Sequence, residues 1–403
     1  MLLVGAHVFG QARPRARDLG IPFEGSPGSL NSITDVAGVE VGYATIVRGD
    51  GALRRGEGPV RTGVTAILPR GKANRDPVFG AWFTLNAAGE MTGTTWLEER
   101  GFLEGPILIT NTHSVGIVRD AAIDWMLRNG WTFSWITPVV AETYDGDLND
   151  INGFHVTREH VFSALDGSRG GAIAEGNVGG GTGMVCHQFK GGTGTASRRV
   201  PTQTETFTVG VLVQCNYGSR GILRVAGVPV GTEIRDLLPC FVPTPGVPEK
   251  PASARCSESR ASLGPNLNPT SKDSSPGDGS IIIVVATDAP LLPHQLQRLS
   301  KRAALGIGRM GGIASNGSGD IFVAFSTANA SADVAGVANV RMLGNAQLTT
   351  LFEATVQATE EAITNTLIAA ETMTGADGFR VFGVPHQRLQ AIMEKYNRLV
   401  KAH

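Results

Sequence analysis

Between Val242 and Gly279 the chain is rich in proline and serine and carries no aromatic residue. It then runs without transition into Ser280-Ile281-Ile282-Ile283-Val284-Val285-Ala286. The first stretch has too little apolar surface to offset the entropy of ordering it, which predicts a mobile linker over 242–279. The second reads as a strand buried on both faces, because its apolar run does not alternate. A loose linker feeding straight into a core strand is a poor way to enter a sheet unless the chain is cut at the join. Breaking the Gly279–Ser280 bond would give Ser280 a free α-amine beside its own hydroxyl. An α-amine with a reference pKa near ~8 can act as a base at neutral pH. This is one of the known ways to activate a weak hydroxyl nucleophile. On pattern alone, an ordinary serine at the start of a strand remains the alternative.

The rest of the chain alternates strand and helix signals. Ile33–Val47, 62–68, 79–85, 106–110, 131–140, 207–215 and 321–325 read as strands. Val115–Leu127, Leu291–Ile307 and a long amphipathic segment marked by Leu348, Phe352, Val356, Ile363 and Leu367 read as helices. Hydrophobic residues make up 41% of the sequence, enough for a sizeable core, and the net charge of −1 gives no reason to expect a nucleic-acid or membrane partner. No apolar run reaches the ~18 residues of a membrane span. The start, Met1–Ala12, is mildly apolar but lacks the basic region of a secretory signal. A cytoplasmic enzyme is expected, with a periplasmic one as the alternative.

Familiar chemistries are excluded one by one. Gly176–Gly183 (GNVGGGTG) offers no dinucleotide or phosphate-loop register, so it is expected to be a structural loop or one wall of a site. There is no H-E-x-x-H pattern and no G-x-S-x-G elbow. Cys186, Cys215, Cys240 and Cys256 form no CxxC pair and no zinc spacing, which predicts free thiols, three buried and Cys256 exposed. Neither a metal nor a cofactor is expected.

The order of several motifs resembles the self-processing aminopeptidases of the DmpA type, which include L-aminopeptidase/D-esterases, D-aminopeptidases and β-peptidyl aminopeptidases. The motifs are RARDLGI (15–21), NSITDVAGV (31–39), VVAETYDG (139–146), GNVGGGTG (176–183), VQCNYG (213–218), DGSIIIVVATDAP (278–290) and ASNGSGDIFVAFS (314–326). The resemblance implies a four-layer α/β/β/α sandwich of the N-terminal-nucleophile hydrolase type. One domain would be built jointly by fragments 1–279 and 280–403, and the enzyme would be a homo-oligomer, often a tetramer. It implies Ser280 as nucleophile in self-cleavage and in turnover, Asn216 as amide donor to the oxyanion, and Tyr144 as a phenol aimed at the same charge or at the leaving group. Ser318 and Asp320 would hold and polarise the Ser280 amine and hydroxyl, and Glu142 would pair with the substrate's ammonium. The expected reaction removes an N-terminal residue from short peptides, amides or esters through an acyl-Ser280 intermediate, without a cofactor. Two alternatives stand beside it: an acyltransferase of the same architecture, and an uncleaved protein that binds a small amine.

Overall fold

The computed structural model describes residues 13–132, 135–203, 205–256 and 279–400. Two sheets form its centre. The first has four strands in the order β1 (Glu40–Arg48), β2 (Val60–Leu68), β5 (Ile107–Asn111), β6 (Val139–Thr143). The second has six, in the order β4 (Phe102–Leu103), β3 (Val78–Ala87), β10 (Gly319–Ser326), β9 (Ser280–Thr287), β8 (Thr206–Asn216), β7 (Gly192–Pro201). In it β9 and β10 run parallel, and β8 and β3 flank them antiparallel.

Side-chain parity shows how the layers stack. Along β9, Ile282, Val284 and Ala286 join Ile107, Ile109, Val139 and Ala141 of the first sheet in one cluster. Ile281, Ile283 and Val285 instead join Leu296 and Leu299 of helix α3 (Pro293–Arg309) and Ile363 and Leu367 of helix α4 (Leu348–Ala369). The outer face of the first sheet packs on helices α1 (Val115–Arg128) and α2 (Arg158–Asp166) through Leu108, Val118, Trp125 and Val161. The order is therefore α/β/β/α. The unbroken apolar run of β9 follows from its place in the middle, apolar neighbours on both sides.

Close approach explains much of the glycine content. The stretch from 176 to 183 passes between the sheets, and a Cβ on Gly180 or Gly181 would run into the Ile109 carbonyl or the Thr193 amide. Helix α4 lies on β7 at Gly194, where a Cβ would collide with the Ala362 carbonyl and the Thr366 hydroxyl. Gly194→Ala is expected to destabilise the protein by ~1–3 kcal/mol, the usual cost of overpacking. Chemical denaturation should show a lower midpoint, and an unchanged midpoint would mean that α4 can slide.

Three expectations need correction. The cysteines are not free thiols: Cys186 is bonded to Cys215 and Cys240 to Cys256. Of the linker expected over 242–279, the described part, 242–256, is held in place. It is tied down by the Cys240–Cys256 bond, by the Cys256 N–H donated to Phe241 O at 2.9 Å and by Lys250 paired with Asp377 at 3.3 Å. The remainder, 257–278, lies outside the described residues, as does the Met1–Ala12 start. The strand expected over 131–140 is instead Val139–Thr143, and Ile33–Asp35 is a short 3-10 turn ahead of β1.

Candidate active site

Ser280 is the first residue of β9 and only 5% exposed. It lies in register with Asn216 at the end of β8 on one side and with Gly319 at the start of β10 on the other. Even positions of β9 face the space between the sheets, so the Ser280 hydroxyl points the same way as Ile282. It sits close over Gly319, where a Cβ would stand 2.8 Å from Ser280 Oγ.

The residue before it is constrained in two ways. Gly279 has φ +148°, and a side chain there would collide with the Asn216 carbonyl. Its carbonyl oxygen, the acyl oxygen of the Gly279–Ser280 peptide, accepts the Gly319 N–H at 3.0 Å. A backbone donor is thus already placed on the oxygen that would carry charge if this peptide were attacked. Gly319 was not singled out from the sequence; the one signal was a glycine set between Ser318 and Asp320.

Asn216 has its orientation fixed. Its Oδ1 accepts the Val185 N–H at 2.7 Å. Only an oxygen can accept there, so the carboxamide is unambiguous. Among the described residues its Nδ2 has no acceptor and remains available as a donor.

Ser318 and Asp320 form the other flank. Ser318 Oγ donates to Asp320 Oδ1 at 2.7 Å, and the Ile281 N–H also reaches the Asp320 carboxylate. Among the described residues, Oδ2 is buried without a hydrogen-bond partner. Burial pushes this carboxyl up to about 6, against the lowering by those two donors. Tyr217 is buried beside it, and burial together with the Asp320 charge pushes its phenol up.

Glu142 ends deeper than an exposed ammonium ligand would. It is 3% exposed, accepts the Thr112 hydroxyl and takes the Glu90 N–H at 3.0 Å. Burial raises its pKa, opposed by those same donors. It still borders the site, because a Cβ on Gly89 would stand 3.0 Å from a Glu142 oxygen and 3.3 Å from Gly319 Cα. Tyr144 follows β6 and is 47% exposed. Its phenol, pushed up to about 12 by burial and then by Asp147 and Asp145, makes no hydrogen bond to Ser280, Asn216 or Asp320. Strand register therefore brings the backbones of Ser280, Asn216, Ser318 and Asp320 to one end of the sheet, with Glu142 at their edge, and the Tyr144 phenol makes no hydrogen bond to any of them. Among the described residues no group of His, Cys, Asp and Glu side chains is arranged to hold a metal ion, and no helix is long and apolar enough to cross a membrane.

Comparison with known proteins gives a consistent picture. The profile of peptidase family S58 matches residues 31–381. Beta-peptidyl aminopeptidase BapA of Sphingosinicella microcystinivorans is 58% identical over 100% of this chain and 97% of its own. The L-aminopeptidase D-Ala-esterase/amidase of Ochrobactrum anthropi, a prototype for the serine aminopeptidases with a variant of the Ntn hydrolase fold, superposes with a TM-score of 0.83 at 45% identity. That match covers 96% of this chain and 100% of the other. A Burkholderia sp. beta-aminopeptidase superposes with a TM-score of 0.79 at 43% identity, covering 97% and 100%.

Proposed function

From the premise that the chain belongs to peptidase family S58, we propose that it is an aminopeptidase made active by its own cleavage at Gly279–Ser280. The observation that carries the reading is the scissile peptide itself. Its carbonyl holds a backbone N–H from Gly319, and the Ser280 hydroxyl stands over the same glycine.

In the uncut chain, Ser280 Oγ attacks the Gly279 carbonyl carbon and the Gly319 N–H meets the oxyanion, while the family resemblance casts the Ser318–Asp320 pair, which makes no hydrogen bond to Ser280 Oγ among the described residues, as the acceptor of the hydroxyl proton. The C–N bond breaks, the amine takes the proton, and water hydrolyses the ester that is left. The new ammonium or amine of Ser280 would offer a partner to Asp320 Oδ2, which has none among the described residues. In turnover the Ser280 amine takes the proton from its own Oγ, which attacks the substrate carbonyl. The Asn216 Nδ2 and Gly319 N–H groups stabilise the tetrahedral oxyanion, the leaving amine receives the proton, and water releases the acyl group.

The pH dependence of cleavage follows from Asp320. Its pKa is raised to about 6, so the basic form is lost below that value. The first-order rate of self-cleavage is expected to rise ~10-fold per pH unit up to about 6 and to level off above it. A rate that is flat from acid to neutral pH would remove Asp320 from the proton path.

The relatives' names support short peptides or amides with an N-terminal β-amino acid as substrates, with Glu142 at the ammonium end. Comparing para-nitroanilides of β-Ala, L-Ala and D-Ala tests this, with β-Ala expected to turn over fastest. The reading extends, on the family resemblance, to a homo-oligomer of two-fragment protomers, which light scattering would size. The two disulfides favour an oxidising compartment, so of the two locations weighed from the sequence the periplasm is the better supported.

A further inference from the structure

Oxyanion stabilisation by a side-chain amide depends on what holds the amide. Asn216 is gripped at three consecutive positions by the turn that runs from Met184 to Gly191. Cys215 is bonded to Cys186, Asn216 Oδ1 accepts the Val185 N–H at 2.7 Å, and the Tyr217 carbonyl accepts the His187 N–H at 2.7 Å. The turn in turn closes on a fully buried lysine. Lys190 Nζ donates to the Met184 carbonyl and to the Gly191 carbonyl, both at 2.8 Å. The Met184 carbonyl and the Val185 N–H belong to one peptide unit. A cation on its oxygen polarises it, and the N–H that holds Asn216 becomes the stronger donor.

We propose that Lys190 is a positioning residue for the oxyanion site, acting through the Met184–Val185 peptide to fix the Asn216 carboxamide with its Nδ2 toward the substrate. The proposal rests on the reading of Asn216 as oxyanion donor. A buried cation is expensive and calls for a reason. Burial pushes the Lys190 ammonium down to about 7, and the charge of Asp145, itself fully buried, works against that shift.

Lys190→Met keeps the length of the side chain and removes the charge and the donors. It is expected to lower kcat on a para-nitroanilide by ~10-fold or more while leaving KM within about twofold, the pattern of an interaction made only in the transition state. In an Asn216→Ala background the same substitution should cost nothing further, since the group it positions is gone. Should Lys190→Met not yield folded protein, the Cys186→Ala/Cys215→Ala pair loosens the same turn and is expected to show the same loss in kcat and the same silence beside Asn216→Ala. A folded variant of either kind with wild-type kcat overturns the proposal, as does full additivity with Asn216→Ala. If Asn216→Ala itself keeps wild-type kcat, the oxyanion reading fails and takes this inference with it. If Asn216→Ala is slow and Lys190→Met is not, the inference fails alone.

Discussion

The Ser280→Ala protein is expected to remain one uncut chain and to show no aminopeptidase turnover. The substitution removes one oxygen from the first residue of β9 and leaves the buried run Ile281–Ala286 untouched, so the fold should survive it. Both reactions lose their nucleophile. Self-cleavage has no Oγ to attack the Gly279 carbonyl, and without cleavage no α-amine exists to serve as base. Removing the nucleophile of a serine hydrolase costs about 10⁶-fold in kcat, which here means loss of detectable activity. Electrophoresis under denaturing conditions reads the first effect and para-nitroaniline release the second. Normal processing with retained turnover in this variant would rule Ser280 out.

Asn216→Ala carries the second large effect. Loss of one oxyanion donor typically costs ~10²–10³ in kcat, about 3–4 kcal/mol of transition-state stabilisation. Asn216 Oδ1 is engaged by Val185, so the contribution at stake is the free Nδ2. The loss should appear in kcat with KM little changed, because the charge it meets exists only in the tetrahedral intermediate. Self-cleavage should be affected less, because its oxyanion is assigned the Gly319 N–H alone, whereas the turnover oxyanion is assigned Nδ2 as well. Equal losses in KM and kcat would point to a substrate-binding role instead.

Much of this site was legible because its signals are local. The clash of composition at Ser280 needs only neighbouring residues, and the non-alternating run after it correctly implies a strand with apolar layers on both sides. The motif order then supplied Asn216, Ser318 and Asp320, which the register of β8, β9 and β10 brings to one end of the sheet. What escaped depends on contacts between distant segments. Cys186 and Cys215 are 29 residues apart, and their pairing requires the 184–191 turn to lie across the end of β8. The role of Gly319 is carried by its backbone, which has no side-chain signature. The depth of Glu142 is set by Gly89 and Thr112, neither of which marks itself in the sequence. Residues 242–256 look loose in composition, yet a disulfide and a lysine pair hold them.

The central claim is that a hydroxyl becomes a working nucleophile only when its chain is cut in front of it. Intact mass measurement of the purified wild-type protein tests this most directly. The account predicts two chains, the second beginning at Ser280, with aminopeptidase activity appearing in step with their formation. A single uncut chain that is nonetheless fully active, or a cut at any other bond, would contradict it.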